Sequence, residues 1–207
     1  MDEGENMSYI KENFFQIMKE IVKNKACMFL MFISIIKSAV SVSFGTYIPF
    51  LLSQYGFSLE KTGLIVTLFF IAGGVATISS SKVERLIGAN GVVVLSFLSI
   101  LPLCLMFLHV LKYSKILACI TFILIGFFIL LSVSVILVHA QNQMPKYTGV
   151  ISGVMQGFSW GFGALFLAPL GFIGQNYGVD KILILMALIA FIVGLYTMKN
   201  NCIKEIN

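Results

Sequence analysis

The amino-acid sequence predicts an all-α membrane protein with six transmembrane helices. Residues 27–198 are almost entirely apolar and are divided by short polar segments into six runs. Each run is close to or above the roughly 20 apolar residues that a helix needs to cross a bilayer, and lipid offers no partner for an open backbone hydrogen bond. Charged residues make up only 11% of the chain, whereas soluble domains have about a quarter. A soluble globular domain is therefore excluded.

The spans and their connections follow from the apolar runs and the residues that interrupt them. The spans are predicted, in order, at residues 27–52, 62–80, 91–111, 115–139, 148–173 and 180–198. Prolines inside the first and third spans, Pro49 and Pro102, can kink those helices. Glycine and proline indicate the connections, at Gly56, Gly88, Gly91, Pro145 and Gly178.

Two polar tails are predicted to flank the spans. In residues 1–26, apolar side chains recur at helical spacing at Ile10, Phe14, Ile17 and Ile21. This pattern predicts an amphipathic helix in the membrane interface, with its lysines facing anionic headgroups. A solvated linker helix explains the pattern equally well. The first long apolar run belongs to a span, so no cleavable signal peptide is expected. Residues 199–207 form the second tail.

The basic residues predict the orientation in the membrane. If the N-terminus is inside, nine lysines and arginines lie on the inner side and four on the outer side. Together with Lys37, which lies inside a span, these account for all 14. Inner loops carry the excess of positive charge, so both termini are expected in the cytoplasm. The net charge of +5 reflects this distribution and does not indicate nucleic-acid binding. The chain is expected to lie in the cytoplasmic membrane.

Lys37 is the most unusual residue of the spans. It lies about ten residues into the first span, or roughly 15 Å along a helix, and a cation at that depth normally faces a water-filled cavity or a partner. One hypothesis is a substrate cavity that attracts an anionic or polar ligand, with Ser34, Ser41 and Tyr47 on the same or a neighbouring face. The alternative is a structural lysine bonded to carbonyls or to a carboxylate of a missing partner.

Apart from Lys37, the sequence contains few residues placed for proton coupling, catalysis or metal binding. All nine acidic residues fall in tails, loops or span edges, so a membrane carboxylate for proton coupling would have to come from elsewhere. His109 and His139 lie at opposite ends of their spans and are interpreted as structural. The four cysteines are scattered, and nothing resembles a metal site. Without a nucleophile–base pair or a phosphate loop, neither an enzyme nor a cofactor is predicted.

The fifth span carries a glycine ladder, with one glycine every fourth residue. A glycine-lined helix face lets a neighbouring backbone approach closely, so helix packing is the leading interpretation and a sliding surface is compatible with it. Gln156 is a further candidate cavity residue, as is Trp160, for which plain packing is equally plausible. The ladder comprises Gly149, Gly153, Gly157 and Gly161.

The short inner connection between the second and third spans carries charges of both signs. Glu84 and Arg85, followed by Gly88, could hold the cytoplasmic ends of helices together in one state and release them in another. This gating hypothesis rests on a weak pattern, because inner loops generally carry such residues.

Several segments resemble one transporter family. The stretch from Ala140 to Pro145, with Gly149, Gly153 and Gly157 after it, is similar to the tenth-to-eleventh helix region of major facilitator superfamily transporters of the fosmidomycin-resistance branch. The segment around Lys37, with Tyr47 and the exit Gln54-Tyr55-Gly56, resembles the seventh helix of that branch. The chain thus looks like the C-terminal six-helix half of such a transporter.

The resemblance implies an architecture and a mechanism. Each half would contain two inverted three-helix repeats, and two halves would enclose a central cavity that works by alternating access. The first and fourth spans would line the cavity, the second and fifth would face the other half, and the third and sixth would lie outermost. Three features depart from the superfamily loop motif: Glu84 replaces the usual aspartate, one extra residue precedes Gly88, and Ala89-Asn90 replaces a basic pair.

Two functions remain open at this point. The leading hypothesis is a half carrier for a small-molecule substrate, an exporter of a drug or metabolite linked to antibiotic resistance. It would need a second six-helix half, either a separate chain or a second copy. The competing hypothesis is a non-transporting membrane subunit or a truncated remnant.

Overall fold

The computed structural model describes residues 16–200, and every regular element in that range is a helix. Helix α1 (Lys25–Gln54) begins where the Asn24 side chain accepts hydrogen bonds from the backbone of Ala26 and Cys27, at 3.0 and 3.2 Å. Such a cap satisfies backbone donors that the first turn leaves open. The helix includes Pro49 and closes in a turn at Gly56.

The second and third predicted spans are joined by helix rather than by a loop. Helices α2 (Leu59–Leu98) and α3 (Ile100–Val110) form a continuous run of 52 residues. A straight helix of that length would extend about 78 Å, more than twice the roughly 30 Å of a hydrocarbon core. Gly88, with φ 75° and ψ 163°, breaks the helical geometry, and a side chain there would be strained. The expected loop over residues 80–91 is thus corrected to helix with one break.

The remaining chain forms three further helical runs. Helices α4 (Lys115–Leu131) and α5 (Val133–Gln143) are separated by Ser132 alone, and a 3₁₀ turn (Pro145–Tyr147) leads into α6 (Thr148–Leu165) and α7 (Leu167–Tyr177). Helix α8 (Val179–Asn200) ends the described range. Five runs of residues 16–200 are long and apolar enough to cross a membrane. A sixth crossing requires the long run to divide at Gly88, so the six-span division stays a prediction.

Aromatic side chains fill the core between α2, α3 and α4. The rings of Phe69 and Phe122 stack with centroids 4.7 Å apart, and Phe107 lies 5.8 Å from Phe122. Close backbone contact makes this packing possible: a Cβ at Gly126 would lie 2.5 Å from the Phe69 carbonyl oxygen. These contacts join the second, third and fourth predicted spans into one bundle.

The tails are only partly described. Residues 16–23 are helical, with Ile21 buried against the core and Lys19 and Lys23 exposed. The rest of the predicted interfacial helix, including Ile10 and Phe14, and the tail after residue 200 lie outside the described residues.

The run Pro145–Tyr177 is the least covered of the bundle. Of the 18 consecutive residues that are the most apolar in this run, only 17% are buried, against 39–56% in the other four runs. Large apolar side chains along it face outward, among them Phe158, Phe162 and Phe172 at 43–70% exposure. One flank of the bundle is therefore formed largely by α6 and α7.

Candidate functional site

Lys37 is 3% exposed, and its ammonium group lies inside the helix bundle. It donates hydrogen bonds to the hydroxyls of Ser96, at 2.7 Å, and of Ser132. The ring of Phe97 lies 5.3 Å away and adds a cation–π contact. The Ser96 hydroxyl in turn donates to the carbonyl of Phe128. The nitrogen thus points between helices, toward α2 and the junction of α4 and α5, rather than into lipid.

Five of the six predicted cavity residues line one cavity of about 20 Å³: Ser34, Lys37, Ser41, Gln156 and Trp160. Lys37 and Ser41 are buried, whereas Gln156 and Trp160 are exposed, so the cavity leads from the surface of the chain toward the ammonium group. Among the described residues, the buried Ser41 hydroxyl has no hydrogen-bond partner. A volume of this size holds about one water molecule.

Tyr47 does not belong to this cavity. It lies ten residues beyond Lys37 on α1, and its hydroxyl donates to the carbonyl oxygen of Leu167 at 2.6 Å. A Cβ at Gly171 would lie 3.3 Å from the same hydroxyl. Tyr47 therefore joins α1 to α7, which is a packing contact.

Sequence reasoning missed the residues that hold Lys37. Ser96 and Ser132 are serines inside apolar runs, and nothing in their spacing relates them to a lysine 59 or 95 residues away. The one available signal was that a serine within a span usually finds a polar partner. A further unexpected contact is the Ser159 hydroxyl, which donates to that of Ser34 at 2.8 Å and joins α6 to α1.

Glu84 of the predicted gating segment pairs with His139. The Glu84 carboxylate lies 2.8 Å from Nε2 of His139. This contact joins the connection after the second predicted span to the end of the fourth. Arg85 and Gly88 are exposed. His139 was interpreted as structural, and it is buried with no partner for Nδ1 among the described residues. The gating role of this segment stays a prediction.

The glycine ladder does not contact another helix within the described chain. A Cβ at Gly149, Gly153, Gly157 or Gly161 would have no neighbouring atom within 4 Å. Gly153, Gly157 and Gly161 instead line an apolar groove of about 630 Å³, together with Val150, Phe158 and Phe162. We call this surface the glycine groove.

Other glycines provide the close helix contacts inside the bundle. A Cβ at Gly163 would lie 2.9 Å from the Ala39 nitrogen of α1, and one at Gly194 would lie 2.9 Å from Leu98. Gly73 also approaches Leu130, whereas a Cβ at its neighbour Gly74 would have no neighbouring atom within 4 Å.

Comparison with known proteins identifies the family. The profile of the Major Facilitator Superfamily matches residues 4–168. The chain belongs to the major facilitator superfamily. This confirms the resemblance drawn from the motifs around Lys37 and Gly149, and with it an all-helical membrane fold.

Two relatives within the superfamily show how much of a transporter the chain represents. It is 29% identical to the fosmidomycin resistance protein of Escherichia coli (strain K12) over 137 residues, which is 66% of this chain and 33% of that protein. It is 27% identical to the uncharacterized MFS-type transporter YfnC of Bacillus subtilis (strain 168) over 142 residues, 68% of this chain and 34% of that protein. The match covers about a third of the length of these relatives. No solved structure matches the chain.

Superfamily membership bears on the interpretation of the exposed flank formed by α6 and α7. Members are transporters, and the resemblance implied that the fifth span faces a second half.

Among residues 16–200, no group of three or more histidine, cysteine or acidic side chains could hold a metal ion. The chemistry available near Lys37 is therefore that of one ammonium group, several hydroxyls, an amide and an indole.

Proposed function

We propose that the chain is one half of a secondary transporter that exports a small molecule, a drug or a metabolite, by alternating access. It requires a second six-helix half, provided by a separate chain or a second copy. We place it in the cytoplasmic membrane with both termini inside. The observation that carries this proposal is the glycine groove: an open, small-residue face on the helix that the superfamily plan directs toward the other half.

The glycine groove fits a helix better than it fits lipid. Apolar exposure alone has little meaning inside a bilayer, because lipid tails are as apolar as leucine side chains. A concave strip of three glycines one turn apart is different, since it lets a facing backbone approach and gain van der Waals contact. The stacked rings of Phe158 and Phe162, 5.9 Å apart, form one wall of the strip.

The Lys37 cavity supports a polar or anionic substrate. Its buried end carries the ammonium group and the unpartnered Ser41 hydroxyl, and its mouth carries Gln156 and Trp160. At about 20 Å³ the cavity is too small for a drug-sized molecule. In the proposed mechanism the second half supplies the opposite wall, and the substrate binds between the two halves.

One observation favours the competing function, a non-transporting subunit or remnant. Lys37 already has two hydroxyl acceptors and an aromatic face, so it is held without any ligand. A structural lysine would look the same. The two functions therefore differ in whether Lys37 matters for transport or for assembly.

Transport by the chain together with its second half tests the proposal. Cells that express both would be assayed for fosmidomycin resistance, and proteoliposomes for uptake of labelled fosmidomycin, the compound in the relative's name. Lys37→Ala is expected to abolish transport while the protein still inserts, and Lys181→Ala, an exposed lysine, is the matched control. Unchanged transport in Lys37→Ala would rule out the cavity role.

Association with the second half tests the groove separately. Gly157→Leu is expected to abolish co-purification of the second half but to leave the isolated chain folded, because a Cβ at Gly157 would have no neighbouring atom within 4 Å. Ile192→Trp adds bulk at an exposed position of α8 and is expected to leave co-purification intact. If Gly157→Leu still binds the second half, the groove is not the interface.

A further inference from the structure

A further cavity, larger than the Lys37 cavity, lies at the N-terminal end of α2. It occupies about 490 Å³ between the first turns of α2 and α4. Its rim carries Lys61 and Lys115, with Glu60 beside them, and its walls include Leu64 and Ile116. We call it the rim groove. It shares no residue with the Lys37 cavity or with the glycine groove.

The backbone turn after α1 holds Lys115 in place. Phe57 N donates to the Leu52 carbonyl at 3.2 Å and Gly56 N to that of Ser53 at 3.1 Å, the hydrogen-bond pair of a Schellman turn. Gly56 takes φ 73°, which glycine adopts without strain.

This turn presents a carbonyl and an aromatic ring to the same ammonium group. Lys115 Nζ donates to the Gly56 carbonyl at 3.3 Å and lies 5.1 Å from the Phe57 ring centroid. One of its three N–H groups is thus directed toward the backbone, and the others remain available at the rim.

Below this charged rim the groove is apolar. Leu64 and Ile116 are 62% and 76% exposed, and Ile65 beneath them is 5% exposed. Leu64 and Ile65 follow Lys61 by about one helical turn, and Cys119 follows Lys115 by one turn, so the apolar walls lie roughly 5 Å deeper along the helices. Cations above and hydrocarbon below match the two parts of a phospholipid.

We propose that the rim groove binds an anionic phospholipid, with its phosphate between Lys61 and Lys115 and an acyl chain along Leu64 and Ile116. The choice of an anionic lipid follows from charge. Two ammonium groups and the single carboxylate of Glu60 leave the rim with a net positive charge, which complements a headgroup of net negative charge. Both lysines stand at helix ends, where a headgroup is within reach of a lysine side chain.

A photoreactive phosphatidylglycerol, with a diazirine at the headgroup end of its acyl chain, tests this proposal. The full chain would be placed in phosphatidylcholine nanodiscs that contain a trace of the probe, and crosslinked peptides would be mapped by mass spectrometry. We expect crosslinks at residues 64–65 and 116–119. The double substitution Lys61→Gln with Lys115→Gln should reduce them about 30-fold, since two lysines near an anionic lipid surface together contribute about 2 kcal/mol and each ~1.4 kcal/mol is a factor of ten in affinity.

A matched control separates this site from general attraction. Lys112→Gln with Lys181→Gln removes the same charge at two exposed lysines outside the rim groove, and is expected to retain the crosslinks. Both pairs should keep the wild-type helical circular dichroism and elution volume. Three results would each overturn the proposal. The two pairs of substitutions could lose crosslinks equally, the phosphatidylcholine analogue of the probe could crosslink equally well, or soluble glycerol 1-phosphate could compete fully with the probe. Displacement of the probe by the second half would do so as well, because the groove would then be a protein contact.

Discussion

Gly163 offers the sharpest test of how the helices pack. It lies on α6 where that helix meets α1, and a Cβ added there would lie 2.9 Å from the Ala39 nitrogen and 3.0 Å from the Ser38 carbonyl carbon. Both are backbone atoms, which cannot rotate away as a side chain can. Gly157, on the same helix, has no atom within 4 Å of the corresponding position. Alanine should therefore give a less stable protein at Gly163 than at Gly157.

The expected difference follows from two terms. Replacing glycine by alanine inside a helix stabilises it by about 1 kcal/mol, and this gain applies at both positions. At Gly163 the helices must also separate by about half an ångström to restore contacts of about 3.5 Å, and such overpacking costs about 1–3 kcal/mol. The gain cancels when the two variants are compared. Gly163→Ala should thus have a free energy of unfolding about 1–3 kcal/mol lower than that of Gly157→Ala.

Unfolding by SDS in dodecylmaltoside micelles measures this difference. Far-UV circular dichroism would report loss of helix, and the fluorescence of Trp160, the single tryptophan of the chain, would report on α6. Equal unfolding free energies for the two variants, within about 0.5 kcal/mol, would show that α1 and α6 are not in backbone contact.

Two further predictions concern polar contacts between helices. A double-mutant cycle of Lys37→Met and Ser96→Ala should give a coupling energy of about 1.5–3 kcal/mol in the same unfolding assay, typical of a hydrogen bond to a charged group; a value near zero would contradict the contact. The pair of Glu84→Gln and His139→Asn should couple more weakly, by about 0.2–1 kcal/mol, because the Glu84 side chain is 31% exposed. Arg85→Gln in place of the Glu84 change serves as the control and should show no coupling with His139.

The helical fold was predictable because lipid imposes it. Once a run of about 20 apolar residues lies in a bilayer, only a helix satisfies its backbone, so composition and run length suffice. The connection between the second and third predicted spans was not predictable in this way. Charged residues such as Lys82 and Arg85 end an apolar run without ending a helix, and the break lies at Gly88 alone.

The sequence predicted the cavity residues on α1 and two on α6, Gln156 and Trp160, but not the serines that hold Lys37. Ser34, Lys37 and Ser41 lie three and four residues apart on α1, and helical periodicity brings them to one cavity. Tyr47 lies two turns beyond Ser41 and belongs to a different contact. Ser96 and Ser132 reach Lys37 from other helices. Pairing across helices depends on the rotation of each helix about its axis, which the apolar pattern of a span leaves undetermined.

Glycine spacing alone could not separate contacts within the chain from those with a partner. The regular ladder predicted close contacts at Gly153 and Gly157, yet the glycine of α6 whose Cβ would meet α1 is Gly163, outside the four-residue repeat. Spacing shows that a face is smooth, and only the position of neighbouring helices shows what lies against it. Gly161 of the open ladder and the covered Gly163 are two residues apart, so they point to nearly opposite sides of α6.

The position of the glycine groove on α6 has a consequence for the proposed transport cycle. Gln156, at the mouth of the Lys37 cavity, and Gly157, in the groove, are consecutive residues and so point about 100° apart around the helix. A partner helix seated against Gly157 and Gly161 would therefore border the cavity mouth formed by Gln156 and Trp160. Any movement of that partner along the smooth glycine face would change access to Lys37 without breaking a contact inside this bundle. In the proposed cycle, docking of a second half and opening of the cavity would therefore be coupled through α6.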